Sequence, residues 1–349
     1  MIERTNEVGL SERSGWYNSI SGADLDKDGD IDYLVGNFGY NSKYQASKDK
    51  PEILYYGYFE NNEDKNIIEA KFENGICLPH RGLGCSSDAM PSVKENFPTY
   101  HDFAVTPLEG IYENALLSAA DKYEVNDLTS GILYNQRDIG GKTKFKFVPL
   151  PRIAQASPIF GSQINDVNGD GNLDLYVVQN FFGPQRETGN MDGGVSLLML
   201  GDGKGNFKEL FPDESGLIVS GDATSLTILD FNNDNCPDYL VGINNSNFIS
   251  FENKSNKKFI KINIPSLANG RNYLGSRIKV NYKSNGSQIY EFFATNGYLS
   301  QSIPIIFVAT GDNLKIDSIV IYWPDGSSEN LSSYHYSDKD IYMAEKKDR

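Results

Sequence analysis

The chain is expected to be all-β: a β-propeller, incomplete or N-terminally truncated, with a short helical insertion and a small β-sandwich-like domain after it. Two observations carry this. An acidic nine-residue loop recurs at Asp24–Asp32, Asp166–Asp174 and Asp230–Asp238, each time followed by a β-type run. A strand–turn–strand pattern ending in proline also recurs, at Ile132–Pro149, Leu197–Pro212 and Ile249–Pro265. The 64-residue step from Asp166 to Asp230 is the length of one unit, and short strands at a fixed period build propeller blades.

Within each loop every second residue offers an oxygen. The candidate ligands are Asp24, Asp26, Asp28, Asp30 and Asp32; Asp166, Asn168, Asp170, Asn172 and Asp174; and Asp230, Asn232, Asp234, Cys236 and Asp238. Position 7 of each loop (Asp30, Asn172, Cys236) contributes its backbone carbonyl. Such a set suits a hard cation that takes 6 to 8 oxygens, and about three Ca2+ sites are expected. The sharp turn at position 6 falls on Gly29, Gly171 and Asn235, residues that tolerate a left-handed backbone. An EF-hand is excluded, because its closing position 12 is Val35, Val177 or Val241 and no helix pattern follows.

A cage closed at position 9 and feeding a strand resembles the calcium loop of FG-GAP/VCBS repeats, as in integrin α-subunit propellers and related exported proteins. Phe160-Gly161 supplies the Phe-Gly pair. Further on, L-G-S-R-I-K-V (Leu274–Val280), T-N-G-Y-L-S-Q-S (Thr295–Ser302) and I-D-S-I-V-I-Y-W-P-D-G-S (Ile316–Ser327) resemble, in order, the motifs of the ASPIC/UnbV domain. Together the two regions resemble cartilage-acidic-protein-like chains. Ser276 replaces the usual alanine of the first motif, and Ile305–Asp312 replaces the H-F-G-L-G-like segment, which puts any ligand contact there in doubt. The expected division is blades over 1–260, with a helical insert near 92–123, and an ASPIC/UnbV-like β domain over 261–345.

In the insert, Thr106 and Pro107 read as cap and first residue of one of two short helices, placed to cover a propeller edge or to form a lid for a partner. The segment Tyr55–Glu69 reads as a decayed blade without metal, because it lacks the acid spacing. In the C-terminal domain, turns are expected at Asn285-Gly286 and Asp325-Gly326. Trp323 reads as a core residue, with a carbohydrate platform of Trp323 and Tyr298 as the alternative.

The 47 acidic and 32 basic residues give a net charge of −15, which disfavours nucleic acid and anionic membrane as partners. No apolar run is long enough to insert in a membrane. The first residues carry no signal-peptide pattern. Calcium loops of this kind nevertheless fill at extracellular calcium levels, so the expected setting is extracellular, cell-surface or periplasmic, with the leader trimmed or truncated. Cys77 and Cys85 read as either a local disulfide or free thiols.

No catalytic motif surrounds His80, His101 or His335, and Cys77, His80 and Cys85 match no common zinc spacing. The expected function is therefore non-enzymatic recognition or adhesion, with a protein or glycan partner docking on the aromatic and amide loops Gly36–Tyr44, Gln179–Arg186 and Gly242–Phe248. The alternative is a polysaccharide lyase or hydrolase, or a biosynthetic enzyme, using residues such as Tyr100, His101 and Arg186.

Overall fold

The computed structural model describes residues 1–60, 64–137, 142–263, 274–293, 295–311 and 313–330, and the backbone of 341–342. The turn of the first expected hairpin (138–141), Pro265, Asp312 and His335 lie outside the described residues. The chain divides into two compact units: residues 1–9, 17–41 and 129–349, and residues 10–16 and 42–128.

The larger unit begins with β1 (Ser19–Ala23) and β2 (Asp32–Gly36), joined by the first acidic loop. The chain then enters the smaller unit, which is a sheet with helices. Its strands are β3 (Glu52–Gly57), β4 (Asn66–Glu73), β5 (Ile76–Pro79) and β6 (Asp121–Val125), in the order β5-β4-β3-β6. Between β5 and β6 run α1 (Leu83–Ala89), α2 (Pro91–Asn96), α3 (Tyr100–Val105), α4 (Leu108–Ile111) and α5 (Asn114–Ala119). Leu83, Met90, Val93, Phe103, Leu108 and Leu117 bury themselves against Ile53, Ile68 and Ala70 of the sheet. The apolar side of these helices is thus satisfied inside their own unit.

Three expectations are corrected here. Tyr55–Glu69 is not a decayed blade but lies on β3 and β4 of this separate sheet. The two expected helices are five, starting nine residues earlier, at Leu83. Thr106 closes α3 rather than opening a helix. The α3 cap is Thr99, whose Oγ1 accepts the Asp102 N–H at 3.1 Å, and Pro107 itself occupies the cap of α4.

The chain returns to the larger unit as β7 (Gly131–Arg137) and β8 (Thr143–Pro149), completing the first blade in the order β1-β2-β7-β8. The second blade is β9 (Ile159–Asn165), β10 (Asp174–Gln179), β11 (Leu197–Gly201) and β12 (Phe207–Leu210). Every residue of β10 is buried, as a continuous Leu-Tyr-Val-Val run implies. The third sheet holds only β13 (Ala223–Leu229), β14 (Asp238–Ile243) and β15 (Ile249–Phe251). The hairpin expected over Ile249–Pro265 does not form: β16 (Lys258–Asn263) leaves β15 and pairs antiparallel with β19 (Ile305–Thr310).

The C-terminal region supplies two sheets. One is β19-β16-β22, with β22 at Ile341–Tyr342; the other is β18-β17-β20-β21. In the second, β17 (Arg277–Tyr282) and β18 (Ser287–Glu291) form a hairpin turning at Gly286, with φ +68°. β20 (Ile316–Tyr322) and β21 (Ser328–Asn330) turn at Gly326, with φ +84°. Both turns fall where the sequence places them.

Blades and C-terminal region share one core that contains Leu34, Tyr176, Val241, Ile260, Ile278 and Ile319. Trp323 belongs to it at 6% exposure, which leaves the indole no open face for a sugar. β9 packs between β1 and β13, and Gly161 permits the approach to β13, because a Cβ there would stand 3.0 Å from Leu226 Cβ. The inner strands of all five sheets wall one cavity of about 100 Å³, through Ser21 (β1), Gln163 (β9), Ile228 (β13), Tyr290 (β18) and Phe307 (β19).

The T-N-G-Y-L-S-Q-S segment threads among these strands. Gly297 N–H donates to Ser21 Oγ (3.1 Å) and Leu226 N–H to Ser300 Oγ (3.1 Å). Ser302 Oγ accepts from Gln163 Nε2 (3.0 Å) and Ile228 N–H (3.2 Å), while the Tyr298 ring packs edge-on against Phe160. Replacing Ser302 with alanine leaves two donors without their acceptor, at a cost of about 1–3 kcal/mol. Ser302→Ala is therefore expected to lower the melting temperature by several degrees in calorimetry, whereas Leu299→Ala in the same loop, at a side chain 83% exposed, leaves it unchanged.

Candidate metal centres in the acidic loops

Each acidic loop joins the first two strands of its blade, and all three share one internal pattern. Position 6 is left-handed, with φ +97° at Gly29, +85° at Gly171 and +71° at Asn235, as the sequence predicts. Position 4 is left-handed as well, at Lys27 (+62°), Gly169 (+70°) and Asn233 (+61°). The sequence reading missed this second bend; Gly and Asn in two of the three copies were its signal. Lys27, the costly residue there, is held by its ammonium, which donates to Gly171 O (2.9 Å) and Asn172 Oδ1 (2.8 Å) of the next loop.

The position-9 aspartates are clamps. One oxygen accepts the N–H of loop position 2: Asp32 from Leu25 (3.0 Å), Asp174 from Val167 (2.9 Å), Asp238 from Phe231 (3.2 Å). The other accepts an N–H from or just after the third strand: Asn135 (2.8 Å), Gly201 (2.9 Å) and Asn253 (2.8 Å). All three aspartates are at most 1% exposed.

Position 1 differs among the copies. Asp24 Oδ1 is enclosed without a hydrogen-bond partner. Asp166 accepts backbone N–H groups from Gly169 (2.7 Å), Asp170 (3.2 Å) and Gly171 (2.7 Å). Asp230 accepts Asp234 N–H (3.2 Å), Asn235 N–H (3.0 Å) and the Lys261 ammonium (2.9 Å).

The carboxylates at positions 3 and 5 fold inward onto the loop. Asp26 accepts from Asp28 N–H, Asp28 from Asp30 N–H, Asp170 from Asn172 N–H, and Asp234 from Cys236 N–H. Asn168 and Asn232 direct their amides to Asp170 and Asp234. Among the described residues, Asp24, Asp26 and Asp28 form a trio whose ligand atoms lie within 4.8 Å of one another. A buried, orphaned carboxylate oxygen within such a trio fits a hard divalent cation, with one oxygen from each residue. Cys236 turns its buried thiol toward the Lys257 carbonyl, leaving the loop only its backbone.

Burial dominates the electrostatics. It pushes the Asp24 carboxyl up to about 6, against the pull of the Gly29 N–H and with the Asp28 and Asp26 charges adding to the rise. Burial likewise carries Asp32 and Asp166 up to about 7 and Asp174 up to about 8.

Cys77, Cys85 and Cys236 are free thiols, so no Cys77–Cys85 disulfide forms. His80 pairs instead with Glu52, which also accepts Gln45 N–H (2.9 Å), and the Tyr44 ring lies 5.4 Å from the imidazole. With both side chains under 8% exposed, that pair is enclosed, and no local motif signals it, because the two residues lie 28 positions apart. Asp102 is engaged by Thr99 as part of the α3 cap rather than facing His101. Tyr100 and His101 lie in the smaller unit, whereas Arg186 lies in the larger.

At the opposite ends of the second strands, the three candidate docking loops divide by residue. Phe38 and Phe181 pack on each other (6.0 Å), and Phe181 packs on Phe160 (5.6 Å). Tyr40, Phe182 and Phe248 remain 52%, 40% and 72% exposed. Buried Asn180 fixes its loop by donating to the carbonyls of Gly194, Ser220 and Gly221.

Two outcomes follow from the clamps and the buried acids. Asp174→Ala leaves two buried N–H groups unpaired and is expected to cost about 2 kcal/mol or more, whereas Asp170→Ala at the exposed loop tip, measured in chelator, costs far less; chemical denaturation separates them. The raised carboxyls mean that the folded chain holds more protons than the unfolded one between about pH 4 and pH 8, so stability in chelator should fall as pH rises through that window. A melting temperature that is flat or rising from pH 5 to pH 8 would contradict this.

No curated protein sequence matches the chain. The family model described as FG-GAP-like repeat matches residues 166–241, which span the second and third acidic loops. That described as ASPIC and UnbV matches residues 266–341. Residues 166–241 are thus similar to FG-GAP-like repeats and residues 266–341 to the ASPIC and UnbV module.

Proposed function

We propose that this chain is a calcium-stabilised, non-enzymatic recognition protein of an extracytoplasmic setting. Calcium, held by the acidic loops, fixes blade geometry; a protein or glycan partner docks on the loops at the other end of the blades. The observation that carries the reading is the trio Asp24, Asp26 and Asp28, with its buried, unpartnered oxygen. A divalent cation supplies the charge that those carboxylates lack and offsets part of the −15 total.

Exposed Tyr40, Phe182 and Phe248 sit on loops that follow the second strand of each blade, and aromatic anchors of this kind are common in binding hot spots. An adhesive role follows from the same surface, because several blades present comparable contacts. The family match supports the setting, since FG-GAP repeats are typical of extracellular and periplasmic chains, and among the described residues no helix is long and apolar enough to cross a membrane.

Thermal melts in millimolar calcium and in excess chelator test the metal half of this reading. Calcium is expected to raise the melting temperature by several degrees, with Asp28→Ala reducing the shift; superimposable melts would exclude it. Binding to glycan and extracellular-protein arrays tests the other half, and signals that survive Tyr40→Ala, Phe182→Ala and Phe248→Ala together would remove these loops as the docking site.

A further inference from the structure

The third acidic loop departs from the first two in topology and in charge at the same place. In the first two blades the fourth strand, β8 or β12, pairs with the third. In the third sheet β16 leaves for β19, with Lys261 opposite Phe307. That route brings the Lys261 ammonium to the first-position carboxylate, 2.9 Å from Asp230 Oδ2, with the two side chains 13% and 3% exposed.

The rest of the loop is already engaged. Both Asp230 oxygens accept backbone N–H groups, and the Asn232 amide donates to Asp234 Oδ2 (2.8 Å) and Glu252 Oε1 (2.7 Å). Glu252 in turn pairs with Lys254. By contrast, among the described residues no lysine is bonded to the first-position carboxylate of loop one, on which Lys27 acts only through space, and Asp24 Oδ1 has no hydrogen-bond partner. The Lys27 ammonium bonds to loop two at Gly171 O and Asn172 Oδ1 and acts on the Asp170 and Asp166 charges only through space, with no direct bond to either carboxylate.

We propose that the Lys261 ammonium is the built-in cation of the third loop, which therefore holds its shape without metal, so that calcium loads the first two loops only. This rests on the calcium reading above. A divalent ion on Asp230 would sit against a fixed positive charge in a poorly solvated place, where like charges repel strongly. Removing the ammonium reverses the situation: a buried carboxylate loses its counter-charge, and space is vacated beside Asp230.

The test counts calcium per full-length chain by titration calorimetry and elemental analysis, after chelation and exchange into calcium chloride. Two ions are expected for the unmodified protein and for Lys261→Arg, and three for Lys261→Met. Three ions in the unmodified protein would overturn the inference while leaving the calcium reading intact; no ion at all would sink both. Should Lys261→Met fail to fold, a loop-tip pair decides. Asp234→Ala is expected to retain both ions and the full calcium-induced melting shift, whereas Asp28→Ala loses one ion; loss of an ion from Asp234→Ala would overturn the inference.

Discussion

The larger unit depends on a buried carboxylate that joins three pieces of chain at once. Asp32, Asp174 and Asp238 each end an acidic loop, begin a second strand and accept an N–H from the third-strand region. A blade could form its β-ladders without this contact, which ties the loop back over the strand ends. The cost is desolvation: in Asp174 the same burial that makes the two bonds strong also penalises the charge. The acidic loops are thus sites where local hydrogen bonding and electrostatics pull in opposite directions.

The C-terminal module relieves part of this tension and closes the structure around it. Gln288 on β18 donates to the Asp24 main-chain carbonyl (2.8 Å), and Asn285 at the β17–β18 turn reaches the Asp170 carbonyl (3.4 Å). Side-chain amides therefore meet the loops from the module at main-chain carbonyls rather than at the carboxylates. At the inner strands the module works through serine hydroxyls. Ser21 and Ser162 face each other across β1 and β9 (2.8 Å), and Ser21 also receives Gly297. In β1 the small polar residues point inward and Ile20 points out, 57% exposed, an inversion of ordinary patterning that makes sense once the threaded segment is in place. The Ser-Gln motif is accordingly a structural bolt in this chain.

What the sequence made legible was local. Acid spacing and a left-handed residue at position 6 specify the loop, and the Asn-Gly and Asp-Gly turns specify their hairpins, because each depends on a few neighbouring residues. What it hid was the choice of partner. The pattern Ile249–Pro265 reads like the two hairpins before it, yet β16 is claimed by β19, whose Ile306 and Val308 lie over forty residues further on. Tyr55–Glu69 likewise has strand composition, but composition does not reveal which sheet a strand joins. The five short helices also defeat periodicity: at four to seven residues, none runs for two full turns. The loop ligands were legible as a set, but not their inequality, since Lys261 lies outside the repeat and reaches it only through a non-local pairing.

The two ends of the blades follow different physics. At the acidic end, polar atoms are buried, bonded and charged, so geometry there is set by counter-charge. At the other end the amides of Asn37, Asn180 and Asn244 anchor the loops: Asn37 Oδ1 accepts Phe38 N–H (2.8 Å), Asn180 donates to three carbonyls, and Asn244 Nδ2 donates to Asp222 Oδ2 (3.2 Å). These anchors need no cation. They let Phe38 and Phe181 pack inward while Tyr40 and Phe182, one or two residues away, stay outside. Exposed aromatics on loops already fixed by buried amides lose little further freedom when a partner binds. The proposed recognition surface is therefore preorganised by side-chain amide hydrogen bonds, and it is set apart by the length of a strand from the acidic loops.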